Sequence, residues 1–347
     1  MKVDYIVVGL GLAGLAFCEE LVQANKSFVV FEDNSQNSSS VASGTYNPVI
    51  LKRFTPVWNG HQQLELALPF YEKVSEKLGE EFDTRFSTKK VFNSVGDENN
   101  WFIASDKPML ARYMNPEISK TKIKGVIGDF GFGELLGTGR IATKDLITKY
   151  RTYLKEENKL QTVSFHYDDL NVENEKVSYH EIEASKVVFC EGFGLKKNPY
   201  FNHLPLNGTK GEIITIHAPE LNIDFLLKSS VFVLPLGNDI YKVGATFNWT
   251  DKTLNPTEEG KQELVDKLEK TISVPYEIID QTAGIRPTVK DRRPLVGVNE
   301  KYQNLAVLNG LGTRGVMIAP TVAKNLFHHL ENGEQLDPEI DIKRFTN

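Results

Sequence analysis

Tyr5-Ile6-Val7-Val8, then Gly9-Leu10-Gly11-Leu12-Ala13-Gly14, then Leu15-Ala16-Phe17 is the stretch on which the fold turns. Four apolar, mostly β-branched residues predict a buried strand, and Leu12 to Ala24 continues at helical spacing with Ala13, Phe17 and Leu21 on one face. The glycines between them form GxGxxG. Gly9 permits a tight turn, Gly11 lets backbone approach a pyrophosphate, and Gly14 lets helix and strand pack closely. The free N–H groups at the helix start then favour an anion there. Phe28 to Phe31 is a second buried strand, so strand, helix and strand make the right-handed crossover of a doubly wound sheet. Glu32 ends that strand, 18 residues after Gly14, where a carboxylate can accept both ribose hydroxyls of an adenosine and would repel a 2′-phosphate.

The bulk composition limits the functional classes. The chain has 347 residues, 40% hydrophobic and 25% charged, with a net charge of −6. That length accommodates two intertwined domains. An acidic balance supplies no general cationic field, so neither nucleic acid nor an anionic membrane is expected as a partner. Two cysteines, Cys18 and Cys190, and seven histidines show no metal-ligand spacing, so reduced thiols, a cytoplasmic location and no metal are expected. The apolar opening imitates a secretory signal, but Asp4 and the bulky Phe17 before Cys18 fit one poorly. No stretch reaches the ~20 apolar residues of a membrane span.

Further along, Asn34 to Ser40 is expected as a loop, Gln62 to Glu80 as a helix, and residues 90–135 as short strands and loops. Lys144 to Leu154 predicts a helix and Ala184 to Cys190 a buried strand. Gly211 to His217, Ser230 to Pro235 and Ile240 to Phe247 predict strands, with Gly237 and Asn238 in a turn. Glu258 to Ile272 predicts a helix, Leu305 to Leu308 a strand, and Gly315 to Leu330 a closing helix that tolerates Pro320. The fold class expected is α/β: a discontinuous Rossmann-like nucleotide domain (1–54, 138–204, 280–347) with an interleaved α+β substrate domain on a mainly antiparallel sheet (55–137, 205–279).

The fingerprint serves NAD and FAD alike, and the later motifs choose FAD. Ser38-Ser39-Ser40-Val41-Ala42-Ser43-Gly44 could follow a diphosphate toward an isoalloxazine ring. With ASKVVFCEG (184–192), Lys210-Gly211-Glu212, VGAT (243–246), AGIRP (283–287), Asp291, Pro294 to Gly297 and NGLGTRGVMIAP (309–320), the chain resembles the D-amino-acid oxidase superfamily of flavoproteins, most of all its glycine oxidase and sarcosine oxidase branch. The resemblance touches nearly the whole length and is weakest between about 55 and 135.

That resemblance implies a non-covalent FAD held by Gly9, Gly11, Leu12, Ala13, Gly14, Glu32, Asp33, Ser38, Ser39, Ala42, Ser43, Gly44, Asp169, Glu191, Gly192 and Arg286, with the closing turn Gly310, Leu311, Gly312, Thr313, Arg314, Gly315, Val316 and Met317 against the flavin. Helix N–H groups there would stabilise the negative charge that develops as flavin is reduced. It also implies that Arg286 forks onto a substrate carboxylate, that Phe232 and Phe247 line the substrate pocket, and that Lys242 faces the flavin and assists oxygen. By strand alternation Lys242, Gly244 and Thr246 are expected on one face. Each has a plainer alternative: a structural ion pair for Arg286, core for the aromatics, a surface lysine for Lys242. Lys52 and Arg53 depart from the glycine oxidase pattern and either add cationic character at the substrate mouth, favouring a substrate with a second acid group, or merely cap a strand.

The implied activity is oxidation of the C–N bond of a small amino acid or amine, with hydride passing to flavin N5 and oxygen as acceptor. A dehydrogenase with another acceptor such as a quinone, a tRNA-modifying oxidoreductase and a non-catalytic flavin-binding protein stay open. Neither the substrate nor the oligomeric state is legible.

Overall fold

The computed structural model describes residues 1–174 and 176–345. Lys2–Val8 lies between Phe28–Phe31 and Ile182–Phe189 and is parallel to both. Leu160–Gln161 adds a parallel strand beyond Phe28–Phe31, and Leu305–Asn309 adds another beyond Ile182–Phe189. One sheet is therefore assembled from segments far apart in the chain, as the recurring dinucleotide signals predict. Antiparallel strands Leu170–Val172, Val177–Tyr179 and Leu295–Val298 complete it.

The inner strands are apolar at every position because both faces are covered. Tyr5, Val7, Val30, Val188 and Leu308 pack under the helices Leu12–Gln23 and Gly315–Asn332, while Ile6, Val29, Val187, Phe189 and Val307 build the core on the opposite face. Val8 pairs with both Phe31 and Phe189. Gly9, Glu32 and Cys190 thus leave the sheet at one level, the place where an open α/β sheet binds its ligand.

The second large sheet runs in the order Glu277–Arg286, Thr209–His217, Ile240–Gly244, Phe232–Gly237, Leu226–Lys228, Thr88–Val91, Phe132–Leu135, Met114–Ser119. Its pairs are antiparallel except that of Leu226–Lys228 with Thr88–Val91. Alternation along each strand gives it two unlike faces. Ile214, Ile216, Leu227, Val233, Tyr241 and Val243 meet Leu264 and Leu268 of helix Glu258–Leu268. The intervening residues look toward the first sheet. Strand Glu277–Arg286 crosses position 280, where the last nucleotide-domain segment was expected to open.

Several local expectations change. Ser38–Val41 is a short helix within the expected loop. Val95–Ser105 is a helix where strands and loops were expected; Ser94 Oγ accepts from the Asp97 amide at 3.2 Å, a cap that serves a segment too polar to show a clear apolar period. The hairpin turn is Asn238-Asp239, both in the left-handed region at φ 50° and 58°, as a two-residue hairpin favours. The strand expected to reach Phe247 stops at Gly244. Beyond it the chain leaves the ladder, and Thr246 Oγ1 accepts from the Glu212 amide at 2.9 Å. Thr246 therefore does not share a face with Lys242 and Gly244.

Candidate active site

A cavity of about 620 Å³ opens between the carboxyl ends of the parallel strands and the uncovered face of the antiparallel sheet. At one end its wall is Gly9, Gly11, Leu12, Ala13, Glu32, Asp33, Ser38, Ser39, Ala42, Ser43 and Gly44. Glu191 and Gly192 continue it, and Leu311, Gly312, Thr313, Gly315 and Val316 close it. Residues from the two ends of the chain thus share one wall.

The glycines explain the shape of the first end. Gly9 has φ 95°, and a Cβ there would stand 2.6 Å from the Cys190 carbonyl oxygen. A Cβ on Gly14 would stand 2.0 Å from the Gly9 carbonyl oxygen, so Gly14 serves helix–strand packing and does not itself line the cavity. The start of helix Leu12–Gln23 is left to a ligand, for Gly11 supplies no capping side chain; Ser39 Oγ accepts from the Leu12 amide at 3.2 Å. Helix Gly315–Asn332 likewise begins without a side-chain cap. Two uncapped helix starts facing one elongated cavity, with glycine backbone between, fit the diphosphate and ring of a flavin dinucleotide.

Glu32 stands where the fingerprint requires. Its carboxylate accepts from the Leu10 and Asn34 amides, the latter at 2.7 Å, and lies 3.4 Å from the Arg151 guanidinium. Asp33 accepts from Ser164 Oγ at 2.8 Å, which draws Val163, Ser164, Phe165 and Tyr167 into the wall. Sequence reasoning missed these four, because they sit on a connection with no motif. Glu191 accepts from Tyr167 Oη and, at 2.8 Å, from Asn198 Nδ2; burial nevertheless pushes its carboxyl up to about 7.

The other end is built on the sheet. Arg286 closes strand Glu277–Arg286, and its guanidinium lies over Gly211, where a Cβ would fall 2.2 Å from the guanidinium carbon. The glycine of the Lys210-Gly211-Glu212 segment thereby gains a reason: only glycine leaves room for the arginine. Phe247 stacks on it, ring centre 4.5 Å from the guanidinium carbon, and one nitrogen donates to the Thr246 carbonyl at 3.3 Å. Arg286 has no carboxylate partner among the described residues, and burial lowers its pKa to about 10. A guanidinium so placed is available to an acidic ligand. Phe232 also lines the cavity, its ring leaning over Gly244.

Six expected residues stand elsewhere. Asp169 is in a one-turn helix on the surface, 3.5 Å from His180, because its segment belongs to the sheet's outer edge. Gly310 is behind the wall, turning the chain at φ 73° against Val289. Arg314 precedes the closing helix and Met317 enters its core, so only the turn between Leu311 and Val316 meets the cavity. Lys52 is exposed in a turn away from the cavity. Lys242 faces the first sheet as alternation predicts, yet one row beyond the cavity wall; burial and the neighbouring Arg140 and Lys144 lower its pKa. In its place the wall holds Lys228, Ser230 and Lys267, which no motif marks.

A family model described as DAO, FAD dependent oxidoreductase, matches residues 4–328. Over 352 residues the chain is 29% identical to the tRNA 5-methylaminomethyl-2-thiouridine biosynthesis bifunctional protein of Nitrosospira multiformis, a match covering 90% of this chain and 55% of that protein. The chain thus spans about half the length of that curated relative. It is 21% identical over 370 residues to the glycine oxidase of Bacillus subtilis, covering 96% of this chain and 95% of the other. The solved glycine oxidase of Geobacillus kaustophilus shares the fold, with a TM-score of 0.80, 18% identity and 97% coverage of both chains.

Proposed function

The chain belongs to the DAO family of FAD-dependent oxidoreductases, and from that premise we propose that it oxidises the C–N bond of a small amino acid or related amine. The observation that carries this reading is Arg286: a buried guanidinium without a carboxylate partner among the described residues, in the same cavity as the dinucleotide glycines. FAD held there without a covalent link would supply the two-electron acceptor that takes the Cα hydride. Arg286 forks onto the substrate carboxylate and fixes which face of Cα is presented, with Gly211 giving it room and Phe247 holding its plane. Leu311 and Phe232 narrow the cavity and displace water from the carbon that loses hydride. The amine enters neutral, and the resulting imine is hydrolysed by water.

Electrons then pass to oxygen or to another carrier such as a quinone. Since Lys242 stands off the wall, its role with oxygen loses its geometric support, and an anaerobic assay separates the acceptors. The likeness to a tRNA-modification enzyme supports a second reading in which the amine is carried by RNA; RNA binding that weakens steeply with salt would establish it.

The test is anaerobic mixing of the yellow protein with glycine, sarcosine, D-amino acids, proline analogues and dicarboxylic amines while the flavin absorbance is followed. One class should bleach it. Arg286→Ala should then raise the half-saturating substrate concentration by about 100-fold, the loss expected of a charge-assisted bidentate pair, with flavin content unchanged. Equal loss of flavin and substrate binding would remove Arg286 from this role.

A further inference from the structure

Lys228 is a cation with no assigned task. It ends strand Leu226–Lys228 and pairs in register with Phe232, which pairs with Gly244, which pairs with Ile213. These four residues form one row across the cavity-facing side of the sheet. Lys228, Phe232 and Ile213 all line the cavity. Because the Phe232 ring leans over Gly244, coming within 2.9 Å of where a Cβ would be, it leaves the Lys228 side uncovered.

The charges around Lys228 are of its own sign. Lys90 is its cross-strand neighbour and Lys267 stands on the same cavity wall. Both of these have partners: Lys90 Nζ donates to the Val91 carbonyl at 2.6 Å, and Lys267 pairs with Glu263 at 2.5 Å. Lys228 has no ion pair or hydrogen bond among the described residues, and burial with these two neighbours pulls its pKa down to about 8. A secluded cation without a counter-charge is costly, and the fold offers it none. Its open side is the cavity, so the missing counter-charge is one that a ligand brings.

We propose that the substrate is an amine bearing two acid groups, one gripped by Arg286 and the other by Lys228. This deepens the amine-oxidation reading and rests on it. The spacing is suitable. Three strand separations place the Lys228 and Ile213 backbones about 14 Å apart, and the guanidinium lies over Gly211, two residues from Ile213. A lysine stem swung about 6 Å toward the arginine would leave roughly 10 Å between the two cations. Charge-assisted bonds of about 2.8 Å at each end then fit a diacid whose carboxylates are separated by about three to five atoms. A monoacid would leave Lys228 unanswered. The site lies inside the cavity beside Phe232, which suits a small molecule rather than a polymer.

Binding, independent of turnover, tests this. Oxidised FAD-loaded protein is titrated with glutarate and with butyrate, neither of which is an amine, by flavin difference absorbance. Glutarate should bind about 10-fold more tightly or better, the scale of one charge-assisted contact. In Lys228→Met and Lys228→Gln the ratio should fall to within about 2-fold while butyrate affinity holds, and Lys228→Arg should restore part of it. Equal affinities in the wild type, or a preference that survives both neutral substitutions, would overturn the diacid site. If amines bleach the flavin but butyrate binds as well as glutarate, the oxidation reading stands and this inference fails. If no amine bleaches it while the Lys228-dependent preference persists, the diacid site stands and the reaction assigned to it fails.

Discussion

The two ends of the cavity are made by opposite means. At the dinucleotide end the wall is backbone: glycines at 9, 11, 44, 312 and 315, two helix starts without capping side chains, and carboxylates already met by amides. At the sheet end the wall is side chains, with Arg286 and Lys228 lacking carboxylate partners among the described residues. Lys210 sharpens the contrast within that same sheet. It is fully buried, and its Nζ reaches Asp251 at 2.5 Å, Thr253 Oγ1 at 3.2 Å and the Asn255 carbonyl at 2.5 Å. A satisfied buried lysine pins a loop to its strand; an unsatisfied one on a cavity wall awaits a ligand.

The largest break should come at the backbone end. Gly14→Val puts a branched side chain where even a Cβ lies 2.0 Å from the Gly9 carbonyl oxygen, and no flexible side chain can yield. A loss of about 4 kcal/mol or more is expected, since overpacking here also disturbs a positive-φ turn. Thermal melting and the flavin-to-protein absorbance ratio would show it; a stable, stoichiometrically yellow variant would mean the helix does not need this close approach.

Next is the paired lysine. Lys210→Met leaves Asp251 and Glu212 without their cation and should cost about 3 kcal/mol, as breaking a buried pair does. Urea midpoints measured beside those of Lys228→Met decide the contrast. Lys228→Met removes an unpaired charge and should leave the midpoint unchanged or higher. Similar losses in both variants would erase the distinction between scaffold and ligand lysines.

The smallest effect concerns Glu191. Burial raises its carboxyl from 4.5 to about 7, so the folded state holds this proton more firmly than the unfolded chain. Its contribution to stability is complete below about pH 4.5 and is lost as pH rises through 7, a decline of about 2.5 kcal/mol between pH 5 and pH 8 from this group. Glu191→Gln should flatten that decline, which melting temperatures between pH 5 and pH 8 would reveal. An unchanged slope would place the titration elsewhere.

The dinucleotide end was legible because its signals are local. GxGxxG, the acid closing the second strand and the glycine turn before the last helix each report a backbone requirement that only certain residues meet, and such requirements survive in one dimension. Even there the nearest neighbours blurred: Gly310, Arg314 and Met317 belong to the same turn and helix but face away from the cavity, a matter of which side of the backbone each occupies. Val163 to Tyr167 could not be found at all, since the Asp33–Ser164 bond that recruits them spans 131 residues.

At the sheet end the outcome was mixed for a physical reason. Arg286, Phe232 and Phe247 carried a family pattern and reached the cavity. Alternation put Lys242 on the right face, but period-two reasoning carries no information about how far along the strand the cavity extends. It also failed at Thr246, where the chain leaves the ladder after Gly244 and bonds Glu212 instead.

From its order of residues alone this protein is committed to a parallel nucleotide sheet and a glycine fingerprint closed by an acid at the end of the second strand, because glycine turns, buried strands and helix starts are properties of neighbouring residues. Which cations line the cavity was decided only in three dimensions. Lys228 and Lys242 are both lysines on cavity-facing strand positions, and cross-strand register, together with the lean of one phenylalanine ring, places one on the cavity wall and the other a row beyond it.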